Sequence, residues 1–381
     1  MLYLDHAATT PVRPEVLQAM LPHLTEGFGN PSSHHTVGER AAQALADARA
    51  RVAAVVGMRA GDIVFTSGGT EADNLAVKGI ALAAALRAGA PAHVITSPIE
   101  HEAILASCDF LERVHGFAVT RVPVSATGRI DPDAVAAALR PETALVSIGY
   151  ANNEIGTVQD VAGIAARVGR VPLHLDAVQA AGWLPLAGTG AAALSIAGHK
   201  IGAPAGTGVL AVRGRIPLEP LLHGGGQERG RRSGTESVAG AVALATALEL
   251  AEAERAAAAA RVGAQTDAFI AAVLSARPEA RLTGDPVHRL PGSASFTFAG
   301  TSGEAVLLEL ERRGIVSSSG SACAAGDTEP SHVLLACGIA PEVAHTAVRF
   351  TFAHGAPASS IDPLALAAAV GAAVAAVRSG E

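Results

Sequence analysis

Short β-branched runs alternate with helix-length segments through the first half of the chain. Ile63-Val-Phe-Thr, His93-Val-Ile-Thr, Ala118-Val-Thr-Arg-Val, Ala144-Leu-Val-Ser-Ile, Leu173-His-Leu and Leu194-Ser-Ile read as strands, and Val209-Leu-Ala-Val closes the series. Helical stretches fall between them, near 35–56, 71–88, 101–115, 131–139 and 159–168. This alternation predicts an α/β fold with a mostly parallel sheet covered on both faces. From Val238 to about Ala276 alanine dominates, with Glu and Arg interspersed. Alanine is the best helix former, so the stretch reads as one or two long helices, with the domain junction inside it. Ser293-Ala-Ser-Phe-Thr-Phe, Val316 and Val348-Arg-Phe-Thr-Phe then read as strands, and Asp362 to Arg378 as a last helix. That remainder predicts a smaller α+β domain.

The bulk properties sharpen this picture. A chain of 381 residues exceeds one ordinary core, in keeping with two domains. Apolar residues make up 49% and aromatics only 3%, which predicts an aliphatic core with closely packed helices. A net charge of −7 gives no overall pull towards nucleic acid or an anionic membrane. Met1-Leu-Tyr-Leu-Asp-His has neither a basic n-region nor an apolar h-region. The charge-free run Ala177 to His199 is broken by Pro185 and several glycines, and Pro363 to Val377 is too short to span a bilayer. The expectation is a cytoplasmic protein without membrane or direct nucleic-acid partners.

Two residue types then stand out. Lys and Arg together number 28, yet lysine occurs only as Lys78 and Lys200. Lys200 sits in Ser195-Ile-Ala-Gly-His-Lys-Ile-Gly-Ala-Pro-Ala-Gly-Thr-Gly208, among small residues that let other groups approach. An arginine guanidinium stays protonated, whereas a lysine amine can lose its proton, attack a carbonyl and form a Schiff base. Coding bias towards arginine is the competing explanation. Of the cysteines, Cys108 and Cys337 lie in apolar helical patterns and read as small buried hydrophobes. Cys323 lies in Ser317-Ser-Ser-Gly-Ser-Ala-Cys-Ala-Ala-Gly-Asp327, a composition that reads as an exposed loop. A thiol neither buried nor paired is an oxidation risk, so its presence points to a use. No pair of cysteines has a metal-ligand or disulfide-framework spacing, and no metal is expected.

In open α/β sheets ligands bind beyond the carboxyl ends of the strands, and the chain's polar residues cluster at such ends. Thr66-Ser-Gly-Gly-Thr-Glu71 follows a strand and opens a helix, a turn whose free amides suit a phosphate, although a plain tight turn reads the same way. Ser97-Pro-Ile-Glu-His-Glu puts His101 at the head of a helix. Ala151-Asn-Asn-Glu-Ile-Gly156 supplies amides, and His174-Leu-Asp-Ala-Val-Gln179 places Asp176 at a strand end with Gln179 just after it. A buried carboxylate needs a partner, and a protonated ring nitrogen is one. A Schiff-base lysine, a carboxylate, a phosphate turn and amide donors together are what pyridoxal phosphate requires.

These residues match a known family. The chain resembles a cysteine desulfurase, a fold-type I pyridoxal phosphate enzyme of the class V aminotransferase group. The resemblance runs from Leu4-Asp-His-Ala-Ala-Thr-Thr-Pro11 to Arg349. It includes Asn30-Pro-Ser-Ser-His34, Thr66 to Asn74, Glu100-His101, Asn152 to Gly156, Asp176 to Gln179, Gly198-His-Lys200, Gly224 to Arg229, Arg232-Ser-Gly-Thr235 and Ser318 to Cys323. It implies a large domain with a mostly parallel seven-stranded sheet over 13–252, and a small α+β domain from 1–12 and 253–381. It implies that Lys200 holds the cofactor and shuttles the Cα proton, and that His101 stacks on the ring and acts in acid–base steps. Asp176 would pair with the pyridine nitrogen, and Gln179 and Asn153 would bond near the ring hydroxyl. Gly69, Thr70 and His199 would hold the phosphate, with Thr235 reaching across from a second subunit of a homodimer. Asn30 and Arg349 would bind the substrate carboxylate, and Cys323 would be the nucleophile that takes sulfur from L-cysteine as a persulfide. The acceptor would be a protein, an iron–sulfur scaffold or a tRNA-thiolation enzyme.

The chain departs from the family pattern twice. The usual serine before Gly-His-Lys is Ala197, which removes one phosphate hydroxyl, and the usual Gly-Arg after the arginine strand is Ala353-His354. The alternatives are a selenocysteine lyase of the same fold, a transaminase or epimerase, and a non-catalytic sulfur-trafficking scaffold. A nucleotide-binding protein using Gly224-Gly-Gly226 is weaker, because no Walker lysine follows.

Overall fold

The computed structural model describes residues 1–319, 329–355 and 361–379. Along the chain the elements are β1 (Leu2–Tyr3), α1 (Pro14–Leu24), α2 (Thr36–Val56), β2 (Ile63–Thr66), α3 (Gly69–Ala88), β3 (His93–Thr96), α4 (Glu102–His115), β4 (Ala118–Arg121), α5 (Pro132–Ala137), β5 (Thr143–Gly149), α6 (Val161–Val168), β6 (Leu173–Asp176), β7 (Ala193–Ala197) and β8 (Gly208–Val212). There follow α7 (Val238–Ala276), β9 (Ala280–Leu282), β10 (Ser293–Phe298), α8 (Gly303–Arg312), β11 (Ile315–Val316), α9 (His332–Ala336), α10 (Pro341–Ala344), β12 (Ala347–Thr351) and α11 (Pro363–Ser379).

A seven-stranded sheet takes the order β2-β8-β7-β6-β5-β3-β4. The pairs among β7, β6, β5, β3 and β4 are parallel, and β8 runs antiparallel to both of its neighbours. The parallel strands are short and, apart from the edge strand β4, mostly buried and largely apolar, as a sheet covered by helices on each side requires. Their carboxyl ends gather the turns after β2, β3, β5, β6 and β7 at one edge. A second sheet, β12-β10-β9, is antiparallel, and β1 pairs in parallel with β11.

The alanine-rich stretch forms one continuous helix, α7, which joins two cores. Its residues up to Ala251 pack in an aliphatic cluster with β5–β8, and Val262, Phe269, Ile270 and Val273 pack in another with β10, β12 and α11. The second core is aliphatic too, but it also gathers the phenylalanines that the composition shows to be scarce. Phe269 meets the rings of Phe296, Phe350 and Phe352 at 5.9, 5.2 and 5.7 Å. A three-stranded sheet backed by few helices fills its interior with large side chains, so the scarce aromatics concentrate there. The structure also adds α1, where Pro14 occupies the first turn and Val16 is the buried residue.

Candidate active site

The strand ends enclose a cavity of about 360 Å³. Lys200 stands in the tight turn that follows β7, and its amine donates to the carbonyls of Ala7 and of Ala8, the latter at 2.7 Å. Asp176 is the last residue of β6, and its Oδ1 accepts from the Val178 amide at 2.9 Å. β6 and β7 are parallel neighbours with Asp176 opposite Ser195, so the carboxylate and the lysine lie at adjacent strand ends. His101 caps α4 after β3, with Nδ1 accepting from the Ala103 amide at 3.1 Å. Gln179 donates through Nε2 to the Ala7 carbonyl at 3.0 Å. Gly69 and Thr70 begin α3, and Asn153 and His199 complete this part of the lining.

Arg349 reaches the cavity from β12 and is only 3% exposed. One terminal nitrogen donates to Asp5 at 2.7 Å and the other to the Asn153 carbonyl at 2.9 Å, while Nε has no partner. A guanidinium has five N–H groups, so donors remain for a carboxylate. Two such contacts here already anchor the residue.

Burial dominates the electrostatics. It raises the Asp176 carboxyl, opposed by the Val178 amide, His101 and Lys200. It pushes His199 down to about 4, with Lys200 adding to the effect. Glu100, which also lines the cavity, is pushed up to about 8 by burial, although Ser97 and the Gly149 amide each donate to it at 2.5 Å. A carboxyl raised in the folded state binds its proton there while the unfolded chain has already released it. Stability therefore falls as pH rises from the ordinary glutamate value to about 8. Glu100→Gln removes that ionisation, so its melting temperature should drop less than that of the parent between pH 6 and pH 9. Parallel curves would assign the pH dependence elsewhere.

The cavity fits pyridoxal phosphate. A Cβ on Gly69 would lie 2.8 Å from Val178 Cγ2 and 3.2 Å from Ala197 Cβ, so backbone amides rather than a side chain face this corner. α3 has 20 residues, and its N-terminus favours an anion. Asp176 has one backbone donor and a raised pKa, the setting of a carboxylate awaiting a cation. Ala197 borders the same corner as Gly69, where the family's serine would add a hydroxyl. Ala197→Ser should lower the dissociation constant of the cofactor about tenfold or more, since a hydrogen bond to a charged group contributes roughly 1.5–3 kcal/mol. Titrating the apoprotein with pyridoxal phosphate measures this; an unchanged constant would mean that a neighbour already supplies the bond.

Lys200, Asp176, His101, Gln179, Asn153, His199, Gly69, Thr70 and Arg349 thus share one cavity. Asn30 does not join them. Its side chain is exposed and its Oδ1 accepts from the Ser32 amide at 2.9 Å, a local turn contact. Thr235 lines a separate recess with Thr66, Ser67 and Arg232. Cys323 lies outside the described residues. His354 now has surroundings: its Nδ1 is 3.5 Å from Glu254, its ring stands edge-on to Trp183 at 5.1 Å, and its carbonyl accepts from Arg261 at 2.9 Å. Sequence reasoning missed Glu100 and Asp73 as cavity residues. Glu100 sits beside His101 in the turn already singled out, and Asp73 is one helical turn beyond Gly69.

Comparisons with known proteins converge on one family. The aminotransferase class-V family pattern matches residues 2–364. A cysteine desulfurase from Cereibacter sphaeroides is 46% identical over 368 residues, covering 95% of this chain and 93% of that protein. An IscS-like cysteine desulfurase from Mycobacterium tuberculosis is 42% identical, covering 95% and 94%. Among solved structures, a NifS-like protein superposes with a TM-score of 0.87 at 31% identity, covering 99% of this chain and 98% of that one. DndA from Streptomyces lividans gives 0.78 at 37% identity, covering 92% and 99%. The family depends on pyridoxal phosphate, and cysteine desulfurases take sulfur from cysteine and pass it to acceptors. With Lys200, Asp176 and the turn that opens α3 gathered in one cavity, the chain belongs to the class-V aminotransferases, among the cysteine desulfurases.

Proposed function

We propose that the cavity holds pyridoxal phosphate on Lys200 and that sulfur leaves L-cysteine through Cys323. The observation that supports this most is the convergence of Lys200, Asp176, His101 and the α3 N-terminus on one cavity that Arg349 also enters. Gly69, Thr70 and His199 hold the phosphate, Asp176 holds the ring nitrogen, and Gln179 and Asn153 bond near the ring hydroxyl. When bound, the cofactor supplies an electron sink for the substrate's Cα.

Arg349 binds the substrate carboxylate with the donors that Asp5 and Asn153 leave free. This fixes which bond at Cα faces Lys200. The lysine amine then moves the Cα proton, with His101 as its acid–base partner. The Cys323 thiolate attacks the substrate sulfur, the carbon–sulfur bond breaks, and the carbon takes a proton. Cysteine and thiol become alanine and a persulfide, so atoms and electrons balance. A protein acceptor, an iron–sulfur scaffold or a tRNA-thiolation enzyme, receives the sulfur in the cytoplasm. The recess around Thr235 lies outside the chain's own cavity, so Thr235 serves the second subunit of a homodimer. Among the described residues no helix is long and apolar enough to cross a membrane.

With L-cysteine, pyridoxal phosphate and a thiol reductant, alanine and sulfide should appear in equal amounts. Alanine without sulfide or persulfide would overturn the proposed route.

A further inference from the structure

The segments on either side of the stretch that carries Cys323 are both fastened to the arginine end of the cavity. Before it, Ser318 pairs backbone to backbone with Arg349: its amide donates to the Arg349 carbonyl at 3.1 Å, and the Arg349 amide donates back at 2.6 Å. After it, Ser331 caps α9. The Ser331 hydroxyl donates to Glu154 Oε2 at 2.5 Å and accepts from the Leu334 amide at 3.2 Å. His332 donates through Nε2 to the Glu100 carbonyl at 3.0 Å. Val333 and Leu334 of α9 pack with Ile99 and Ile155.

These partners belong to two turns that line the cavity. Glu100 precedes His101, and Glu154 follows Asn153, whose carbonyl accepts from Arg349. Asn152 locks the two turns together. Its Nδ2 donates to the Ile99 carbonyl at 2.8 Å, and its Oδ1 accepts from the amides of Glu154 and Ile155 at 2.8 and 3.0 Å. The start of α9 is therefore bonded to the turns that present His101 and the Arg349 acceptor. Glu154 and Ser331 are each 6% exposed. A buried carboxyl costs free energy that an apolar side chain avoids, yet this pair stands in a cluster otherwise built of Ile, Val and Leu.

We propose that Glu154, acting through Ser331, is a positioning residue for sulfur transfer: it fixes the second end of the Cys323 segment beside the arginine that binds the substrate carboxylate. This rests on the reading of Cys323 as the nucleophile. Cys323 is five residues beyond Ser318 and eight before Ser331. A thiol tethered at both ends meets its target at a high effective concentration, and freeing one end lengthens the tether and dilutes it. Lys200, Asp176 and Arg349 keep their own contacts when the link is cut. The link thus acts on delivery of the thiol and not on binding of cofactor or substrate.

Glu154→Ala removes the acceptor and leaves the Ser331 cap on Leu334 in place. In single turnovers with L-cysteine, persulfide formation on Cys323, followed by peptide mapping, should slow about tenfold. The dissociation constant for pyridoxal phosphate, and the cysteine concentration that half-saturates the spectral change of the bound cofactor, should each stay within about twofold of the parent. Ser331→Ala should give the same split, and it stands in if Glu154→Ala does not fold. The double variant should be no slower than the slower single one, because the two residues form one link. Glu154→Gln keeps an acceptor oxygen for Ser331 and should recover the rate to within about threefold. In the cofactor-free protein, amide exchange over 331–337 should be faster in Glu154→Ala than in the parent, which reads the broken link directly.

Parental rates of persulfide formation in both alanine variants overturn the proposal. So does a loss of cysteine binding as large as the loss of rate, since Glu154 would then shape the cavity as a whole. So does Glu154→Gln behaving like Glu154→Ala, since the charge rather than the link to Ser331 would then matter. A parent whose persulfide forms on another cysteine overturns the reading of the nucleophile instead, and the proposal falls with it.

Discussion

Lys200→Ala should lose all measurable alanine production from L-cysteine, a fall of at least about 10⁴-fold, and should show no visible absorbance band after incubation with pyridoxal phosphate. The size follows from losing two roles at once: the covalent hold on the cofactor and the group that moves the Cα proton, which alone contributes about 10²–10⁴-fold. Lys200→Arg should fail equally, because a guanidinium can supply neither role. The natural control is Lys78, the other lysine in the chain. Its amine sits over the Phe110 ring at 4.6 Å, away from the cavity, and Lys78→Ala should turn over at the parental rate. Absorbance spectra and an alanine assay on the three variants are sufficient. Turnover by Lys200→Ala would remove the central residue of the proposed mechanism.

That lysine was legible in the sequence for a physical reason. An arginine-rich chain keeps lysine in a turn of small residues where only a neutral amine is chemically useful. Asp176, His101 and Gly69–Thr70 were legible because the sheet is parallel, and a parallel sheet puts the residues after its strands at one edge. The buried hydrogen bonds of His174 to Ser147 and Ser195 leave only a faint signal in the sequence. Ser147 and Ser195 are single polar residues inside otherwise apolar strand runs, and the two-residue spacing puts His174 on the face of Asp176. A strand run is recognised by its apolar content, and a lone serine does not change that pattern. Asn30 is different again: a motif places a residue in order along the chain, and in this chain Asn30 lies off the cavity wall. The phenylalanine core was hidden by averaging, since nine phenylalanines dispersed over 381 residues say nothing about five of them meeting in one small cluster.

Cys323→Ala should still bind pyridoxal phosphate and L-cysteine but form no protein persulfide, and neither of the other thiols should replace it. Cys108 is fully buried on α4, and burial pushes its thiol up to about 12. Cys337 is buried beside Ile155 and Leu334, and burial pushes its thiol up to about 11, with Glu154 adding to the effect. The thiolate is the nucleophile, so at pH 7 these sites offer about one reactive form in 10⁵ and 10⁴ respectively. An ordinary exposed cysteine near 8.5 offers a few per cent, an advantage of roughly 300-fold over Cys337 and 3,000-fold over Cys108 before access is counted. Cys323 is the chain's third cysteine, in a Gly/Ser/Ala segment that gives a thiol no apolar cover in sequence. Peptide mapping of persulfides after one round with L-cysteine decides the matter. Modification confined to Cys323 in the parent and absent from Cys323→Ala is the expected result. A persulfide on Cys108 or Cys337 would mean that the buried helices open during turnover and that the nucleophile was misassigned. Alanine and sulfide release at the parental rate from Cys323→Ala would mean that the carbon–sulfur bond breaks without any protein thiol.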